Sequence, residues 1–140
     1  MKTMIKYICI CLILMSFVKS DYKGVPENRI FSIDQPIKDI TVDQDDIFCI
    51  KVAGNPTTGY SWFLNENSDE NNLKALNLNK YKSSEDYVIN KHPEGFVGVG
   101  GVYYFNFKGV QKGNFNLLFV NKRPWEETNA KERRITINVE

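Results

Sequence analysis

Reaction chemistry needs nucleophiles, bases or metal ligands within reach of one another, and this chain of 140 residues is poor in all three. It carries a single histidine, His92, and three cysteines, Cys9, Cys11 and Cys49. His92 sits in Lys91-His92-Pro93 with no visible partner and reads as a solvated loop residue. Cys49 lies inside Phe48-Cys49-Ile50, an apolar strand-like run, where a thiol is a small buried hydrophobe rather than a nucleophile. No His, Cys or carboxylate cluster has the spacing of a metal site, so neither a metal nor a cofactor is expected. Gly98-Val99-Gly100-Gly101 is not a phosphate loop, because no Lys-Ser/Thr follows it and no βαβ pattern surrounds it. Enzyme activity is therefore not expected, and the remaining chemistry is recognition.

Three stretches carry the signals for recognition. Asn55-Pro56-Thr57-Thr58-Gly59-Tyr60 is a loop flanked by Gly54 and broken by Pro56 and Gly59. Its two β-branched threonines favour extended backbone, which predicts a loop stiff in the middle and bent at its ends. A stiff exposed loop has little entropy to lose on binding. The blander reading of these six residues alone is a well-formed hairpin connection. The second stretch, Phe96-Val97-Gly98-Val99-Gly100-Gly101, closes a long irregular segment from Lys82 to Gly101. Its glycines let the backbone lie flat against a partner, or mark a glycine-softened edge strand. The third, Arg123-Pro124-Trp125, sets an indole in a loop beside Glu126 and Glu127, where a contact role competes with a ring folded back on the domain.

The elements that must position these loops read as short strands. Arg29–Ile33 is interrupted by Gln35-Pro36 before Ile37–Val42, as befits an edge strand that changes partner. Ile47–Val52 places Phe48, Ile50 and Val52 on one face, and Tyr60–Leu64 carries Trp62 as a core residue. Asn65–Asn72 reads as a solvated turn and Leu73–Tyr81 as a strand, although its spacing also suits a helical turn. Val102–Phe107, Asn114–Val120 and Arg133–Glu140 alternate apolar and polar residues, with a loop over 121–131. The class is all-β: an immunoglobulin-like β-sandwich of about seven to eight strands, whose loops gather at its two ends. The three stretches can then share one end as a tripartite binding edge.

The start of the chain reads as an address. Lys2 and Lys6 precede an apolar run from Tyr7 to Val18, and Val18-Lys19-Ser20 offers a cleavage site. Residues 1–20 are read as a signal peptide and 21–140 as one domain, with an uncleaved anchor as the rival, disfavoured by the shortness of the apolar run. Asp21–Asn28 reads as a mobile polar lead-in. The expected localisation is the secretory pathway, either secreted or in the lumen of endo-lysosomal or phagosomal vesicles, with no membrane contact after cleavage. Losing Lys2, Lys6 and Lys19 leaves 15 basic side chains against 17 acidic ones, a net charge of −2. That balance, with no basic patch interleaved with aromatics, argues against nucleic acid. Cys49 remains alone, so no internal disulfide can form and the core must hold the fold. Pro56 blocks the Asn55-Pro56-Thr57 triplet as a glycosylation site.

In order and spacing, Asn55-Pro56-Thr57-Thr58-Gly59-Tyr60, Gly98-Val99-Gly100-Gly101 and Arg123-Pro124-Trp125 resemble the three motifs of the chagasin family, proteinaceous inhibitors of papain-like cysteine proteases. The resemblance spans essentially the whole mature chain. It implies a monomeric, reversible, non-covalent, tight-binding inhibitor whose three loops wedge into the protease cleft. Thr57 and Thr58 would meet the enzyme's catalytic cysteine, with Thr58 central. Gly98–Gly101 would lie along the non-primed side, with Val97 and Phe96 near the apolar pocket that reads the residue before the scissile one. Trp125 would stack on aromatic surface on the primed side, with Arg123 supporting the loop. Residues 65–94 match nothing in the family pattern. Phe96 is bulky for its position, and Glu126 and Glu127 would favour targets with a basic rim. The competing class is a secreted adhesion or carbohydrate-binding sandwich, with Trp125 and the tyrosines as a sugar platform.

Overall fold

The structure, a computed structural model, describes residues 20–22, 25–37, 39–65, 70–76, 87–127 and 130–140. Apart from Ser20, the expected leader lies outside the described residues. Among the described residues ten strands follow in chain order: β1 Ser20–Tyr22, β2 Val25–Pro26, β3 Ile30–Ser32, β4 Asp39–Val42, β5 Ile47–Gly54, β6 Ser61–Leu64, β7 Tyr87–Ile89, β8 Gly101–Lys108, β9 Gly113–Lys122 and β10 Lys131–Val139. β1 and β2 form a two-stranded ribbon. The other eight make two four-stranded sheets, ordered β4-β10-β9-β6 and β3-β5-β8-β7, which is the expected sandwich.

Alternation drives the strands into their faces. Along β8, Gly101, Tyr103, Phe105 and Phe107 are buried while their neighbours are half-exposed. Phe48, Ile50 and Val52 of β5 share that face, as do Leu117, Phe119, Ile135 and Ile137 from the opposing sheet. Phe105 meets Phe119 edge-on across the sheets at 4.9 Å between centroids. Trp62 is in this core as expected, and its indole N–H donates to the Ala53 carbonyl oxygen at 3.1 Å.

The Gln35-Pro36 break acts as predicted. β3 pairs in parallel with β5 in one sheet, and β4 pairs in parallel with β10 in the other. Where the chain leaves the first sheet, the Asp34 carboxylate takes over as neighbour, accepting from the Ala53 backbone N–H at 2.9 Å.

Four expectations need correction. Residues 73–81 do not form a strand where they are described: Glu70–Ala75 is a short helix, and residues 77–86 lie outside the described residues. The helix also takes 70–72 from the expected solvated turn, whose residues 66–69 are likewise undescribed. Apolar positions three apart are the helical period, and the helix is held because Ala75 and Leu76 bury themselves against the core. Their carbonyl oxygens accept from Val110, Gln111 and Lys108 N–H groups. Secondly, the long irregular segment contains β7, which pairs with β8. Thirdly, β9 and β10 run further than read, shortening the third loop to 123–130. Finally, the lead-in is not loose throughout: Glu27–Arg29 forms a 3-10 turn, and Val25 is buried against Cys49 on the outer face of β5. That cover explains why Cys49 is a buried thiol outside any disulfide, as read.

Candidate functional site

The loop between β5 and β6 starts at Asn55 and is held from within. Asn55 caps a single 3-10 turn over Pro56–Thr58, its Oδ1 accepting from Thr57 N–H at 3.2 Å and from Thr57 Oγ1 at 2.6 Å. Thr58 Oγ1 donates to the Asn55 carbonyl oxygen at 2.7 Å, and Gly59 N–H closes the turn onto Pro56 at 2.9 Å. Gly59 ends it with φ of +85°, a left-handed conformation that favours glycine. The expected extended middle is therefore wrong: the loop bends at Pro56–Thr58. Capping by Asn55, proline at the first helical position and glycine at the end outweigh the threonines' preference. Hydrogen bonds, rather than branched side chains, set the loop's shape.

The second loop, residues 90–100, is tied to the first. Asn90 N–H donates to the Gly100 carbonyl oxygen at 3.0 Å, closing the loop at its base. Asn55 Nδ2 donates to the Gly98 carbonyl oxygen at 2.8 Å, so one side chain both caps its own turn and grips its neighbour. Gly101 is dictated by packing: a Cβ there would run into the Val88 carbonyl oxygen and lie 2.7 Å from the Tyr87 ring. Tyr87 in turn donates its hydroxyl to the Gly54 carbonyl oxygen at 3.3 Å, and burial followed by the nearby Tyr103 raises its pKa. At the tip, Phe96 is 64% exposed and Val97 93%. His92 is an exposed loop residue, as read.

Arg123 ties the third loop to the first. Its Nε and Nη2 both donate to the Thr58 carbonyl oxygen, at 3.3 and 3.2 Å. The guanidinium lies 4.5 Å from the Tyr60 ring centre, and Nη1 bonds Glu126 Oε1 at 3.0 Å. The hydrogen bond that the guanidinium donates to Glu126 is the main cause holding its pKa above the usual value. Glu126 is therefore engaged within the loop, and of the two carboxylates read as facing a basic rim, Glu127 is the exposed one without such a tie to Arg123. Trp125 is 71% exposed, yet its six-membered ring edge lies against Gly59: a Cβ there would be 3.0 Å from Cη2. Between loops one and three opens a cleft of about 370 Å³ lined by Asn55, Thr58, Tyr60, Asn121 and Lys131.

All fifteen residues named from the sequence thus fall on three neighbouring loops or at their bases. Sequence reasoning missed Asp34, Tyr87 and Asn55's double role. Of these, only the cap was signalled, by Asn before Pro. Among the described residues no cluster of His, Cys, Asp or Glu could hold a metal ion.

Comparison with known proteins shows the family and the fold. Residues 41–139 match the chagasin family of peptidase inhibitors, I42. The chain is similar to amoebiasin-1 of Entamoeba histolytica, 33% identical over 100 residues that span 71% of this chain and 86% of that protein. Among solved structures it resembles the cysteine protease inhibitor EhICP2 from Entamoeba histolytica, with a TM-score of 0.61 at 18% identity, covering 80% of this chain and 95% of that one. It also shares its fold with PbICP-C in complex with falcipain-2, with a TM-score of 0.52 at 24% identity, covering 79% and 89%.

Proposed function

The chain belongs to the chagasin family of peptidase inhibitors, and on that premise we propose that it blocks papain-like cysteine proteases reversibly and without a covalent bond. The observation that carries the mechanism is the pair of ties, Asn55 to Gly98 and Arg123 to Thr58, which lock three loops into one edge before any partner arrives. The loops then fill the cleft as a wedge, with Thr57 and Thr58 at the catalytic cysteine, Phe96–Gly101 on the non-primed side and Trp125 on the primed side.

The same ties explain why the wedge is not cut. Cleavage needs an extended chain with its carbonyl aimed at donors that stabilise the developing oxyanion. Here the backbone turns at Pro56–Thr58, and the carbonyl oxygens of Asn55, Pro56 and Thr58 already accept from Thr58, Gly59 and Arg123. An inhibitor of this kind contributes no reacting group.

The test is titration of the purified protein into a papain-like protease with a fluorogenic substrate, beside Thr58→Asp. Tight, reversible loss of activity by the wild type, strongly weakened in the variant, with the chain intact on a gel, is the expected result. No inhibition across several papain-like enzymes refutes the reading. For location, the basic start and apolar run support entry to the secretory route, with the protein secreted or held in endo-lysosomal or phagosomal vesicles. Amino-terminal sequencing of the exported protein, expected to begin at Asp21, tests it.

A further inference from the structure

The ties from Asn55 to Gly98 and from Arg123 to Thr58 fix the loops to one another, not to the body of the sandwich. The first loop joins the body at its root, Ala53-Gly54, the last residues of β5. Three side chains from three other elements bond the backbone there. Asp34, in the connection between β3 and β4, accepts from the Ala53 N–H through Oδ1 at 2.9 Å. Trp62 of β6 donates its indole N–H to the Ala53 carbonyl oxygen at 3.1 Å, and Tyr87 of β7 donates its hydroxyl to the Gly54 carbonyl oxygen at 3.3 Å.

Trp62 belongs to the core whatever stands above it. The core does not account for Asp34, which is exposed and charged, yet has both carboxylate oxygens engaged. Oδ2 accepts from Ser32 Oγ at 2.9 Å while Oδ1 holds Ala53. The carboxylate stands in for a backbone rung. Ile33 N–H still donates to the Lys51 carbonyl oxygen at 3.0 Å, and two residues further along β5 the Asp34 side chain serves where the chain has turned away. On the other flank, the Tyr87 ring packs on Tyr103 at 4.7 Å between centroids and reaches over β8 to Gly54. Gly54 has no room to settle differently: a Cβ there would lie 2.6 Å from the Tyr103 ring and 3.2 Å from the Trp62 ring. The root therefore rests on two rings and is bonded from both flanks of its sheet.

We propose that Asp34 and Tyr87 are positioning residues for inhibition. They set the angle at which the first loop, and through Asn55 and Arg123 the other two, leaves the sandwich, and they do so without touching the protease. This inference rests on the inhibitory reading above and deepens it. Thr57 and Thr58 lie beyond the root, so a small backbone rotation at Ala53-Gly54 is magnified at the tip. Binding constellations keep their geometry where supporting hydrogen bonds lock them. A free protein whose loops lean away spends less time in the binding orientation, and its association slows by the population lost. A residue that touches the partner acts mainly on dissociation instead.

The experiment measures association and dissociation rates on a papain-like protease for the purified wild type, Asp34→Ala, Asp34→Asn, Tyr87→Phe and Asp34→Ala/Tyr87→Phe. Amide exchange at Ala53 is followed in the free protein. Val42→Ala is the control: it opens a cavity beside Val139, at the end of β10 away from Lys131 and the loops. The expected result is association slower by about 5-fold in Asp34→Ala, about 3-fold in Tyr87→Phe and about 10-fold or more in the pair, with dissociation unchanged. Ala53 exchange accelerates in Asp34→Ala. Asp34→Asn keeps an acceptor facing Ala53 and rescues both readouts to within about twofold of the wild type. Val42→Ala lowers the melting temperature at least as far as Asp34→Ala and leaves association unchanged. Association within about twofold of the wild type in the double variant overturns this inference alone. So does a loss that falls on dissociation only, an equal loss in Val42→Ala, unchanged Ala53 exchange in Asp34→Ala, or no rescue by Asp34→Asn. Failure of the wild type to inhibit overturns the inhibitory reading itself, and this inference with it.

Discussion

The most informative single substitution is Asn55→Ala. It removes three hydrogen bonds at once: Asn55 Oδ1 to Thr57 N–H and to Thr57 Oγ1, and Asn55 Nδ2 to the Gly98 carbonyl oxygen. All three are solvent-exposed, so each is placed at the low end of the usual range, ~0.5–1 kcal/mol. The ordered loop pair then loses ~1.5–3 kcal/mol relative to open conformations, a factor of about 10 to 150 in its equilibrium. Where only the ordered form binds, apparent affinity falls by the population lost. We expect the inhibition constant to rise about 10- to 100-fold. The unfolding midpoint should move little, because no residue of the Pro56–Thr58 turn is buried. Direct contact between Asn55 and the protease would also weaken inhibition, so a second readout is needed in the free protein. Amide exchange at Thr57 should accelerate in Asn55→Ala with no protease present. Asn55→Asp keeps the oxygen that caps Thr57 but loses the donor to Gly98, so it should leave Thr57 protected while freeing the second loop. Unchanged Thr57 protection in Asn55→Ala, or an inhibition constant within twofold of wild type, would refute the reasoning.

Three other perturbations address different supports. Arg123→Lys keeps the charge but loses the planar fork on the Thr58 carbonyl oxygen and the stack on Tyr60, so inhibition should weaken about 5- to 10-fold without a change in melting temperature; binding kinetics check this. Gly101→Ala forces a methyl group into the Val88 carbonyl oxygen and the Tyr87 ring, which should cost ~1–3 kcal/mol and lower the urea midpoint. The Tyr87 hydroxyl has its pKa raised above the ordinary 10.0, so the folded protein holds this proton where the unfolded chain releases it. Stability from this group is fully present below pH 10 and is lost as pH rises above it, a slope that thermal melts should show for wild type and not for Tyr87→Phe.

The long strands were legible because one face of each is buried and period two leaves a clear mark, as in Tyr103, Phe105 and Phe107. The sheet switch was legible from Pro36, whose ring removes a ladder donor. The exposure of Trp125 followed from its flanking proline and glutamates. The bend at Pro56–Thr58 was misread because β-branching was weighted above capping, although Asn55, Pro56 and Gly59 spell a short turn. The Glu70–Ala75 helix was legible only as the alternative to a strand, since what holds it comes from far away: backbone N–H groups of β8 and of the chain after it donate to the carbonyl oxygens of Ala75 and Leu76. The cover of Val25 over Cys49 and the grip of Asp34 on Ala53 are long-range pairings with no local signature.

The parallel pairing of β4 with β10 has a mechanical consequence. Asp39 stands opposite Thr136 and Val42 opposite Val139, so the entry to β4 and the exit from β10 lie at opposite ends of one ladder. Tension applied between Asp39 and Val139 drags the two strands past each other along their length. The ladder is then loaded in shear, and its hydrogen bonds must give way together instead of peeling one by one.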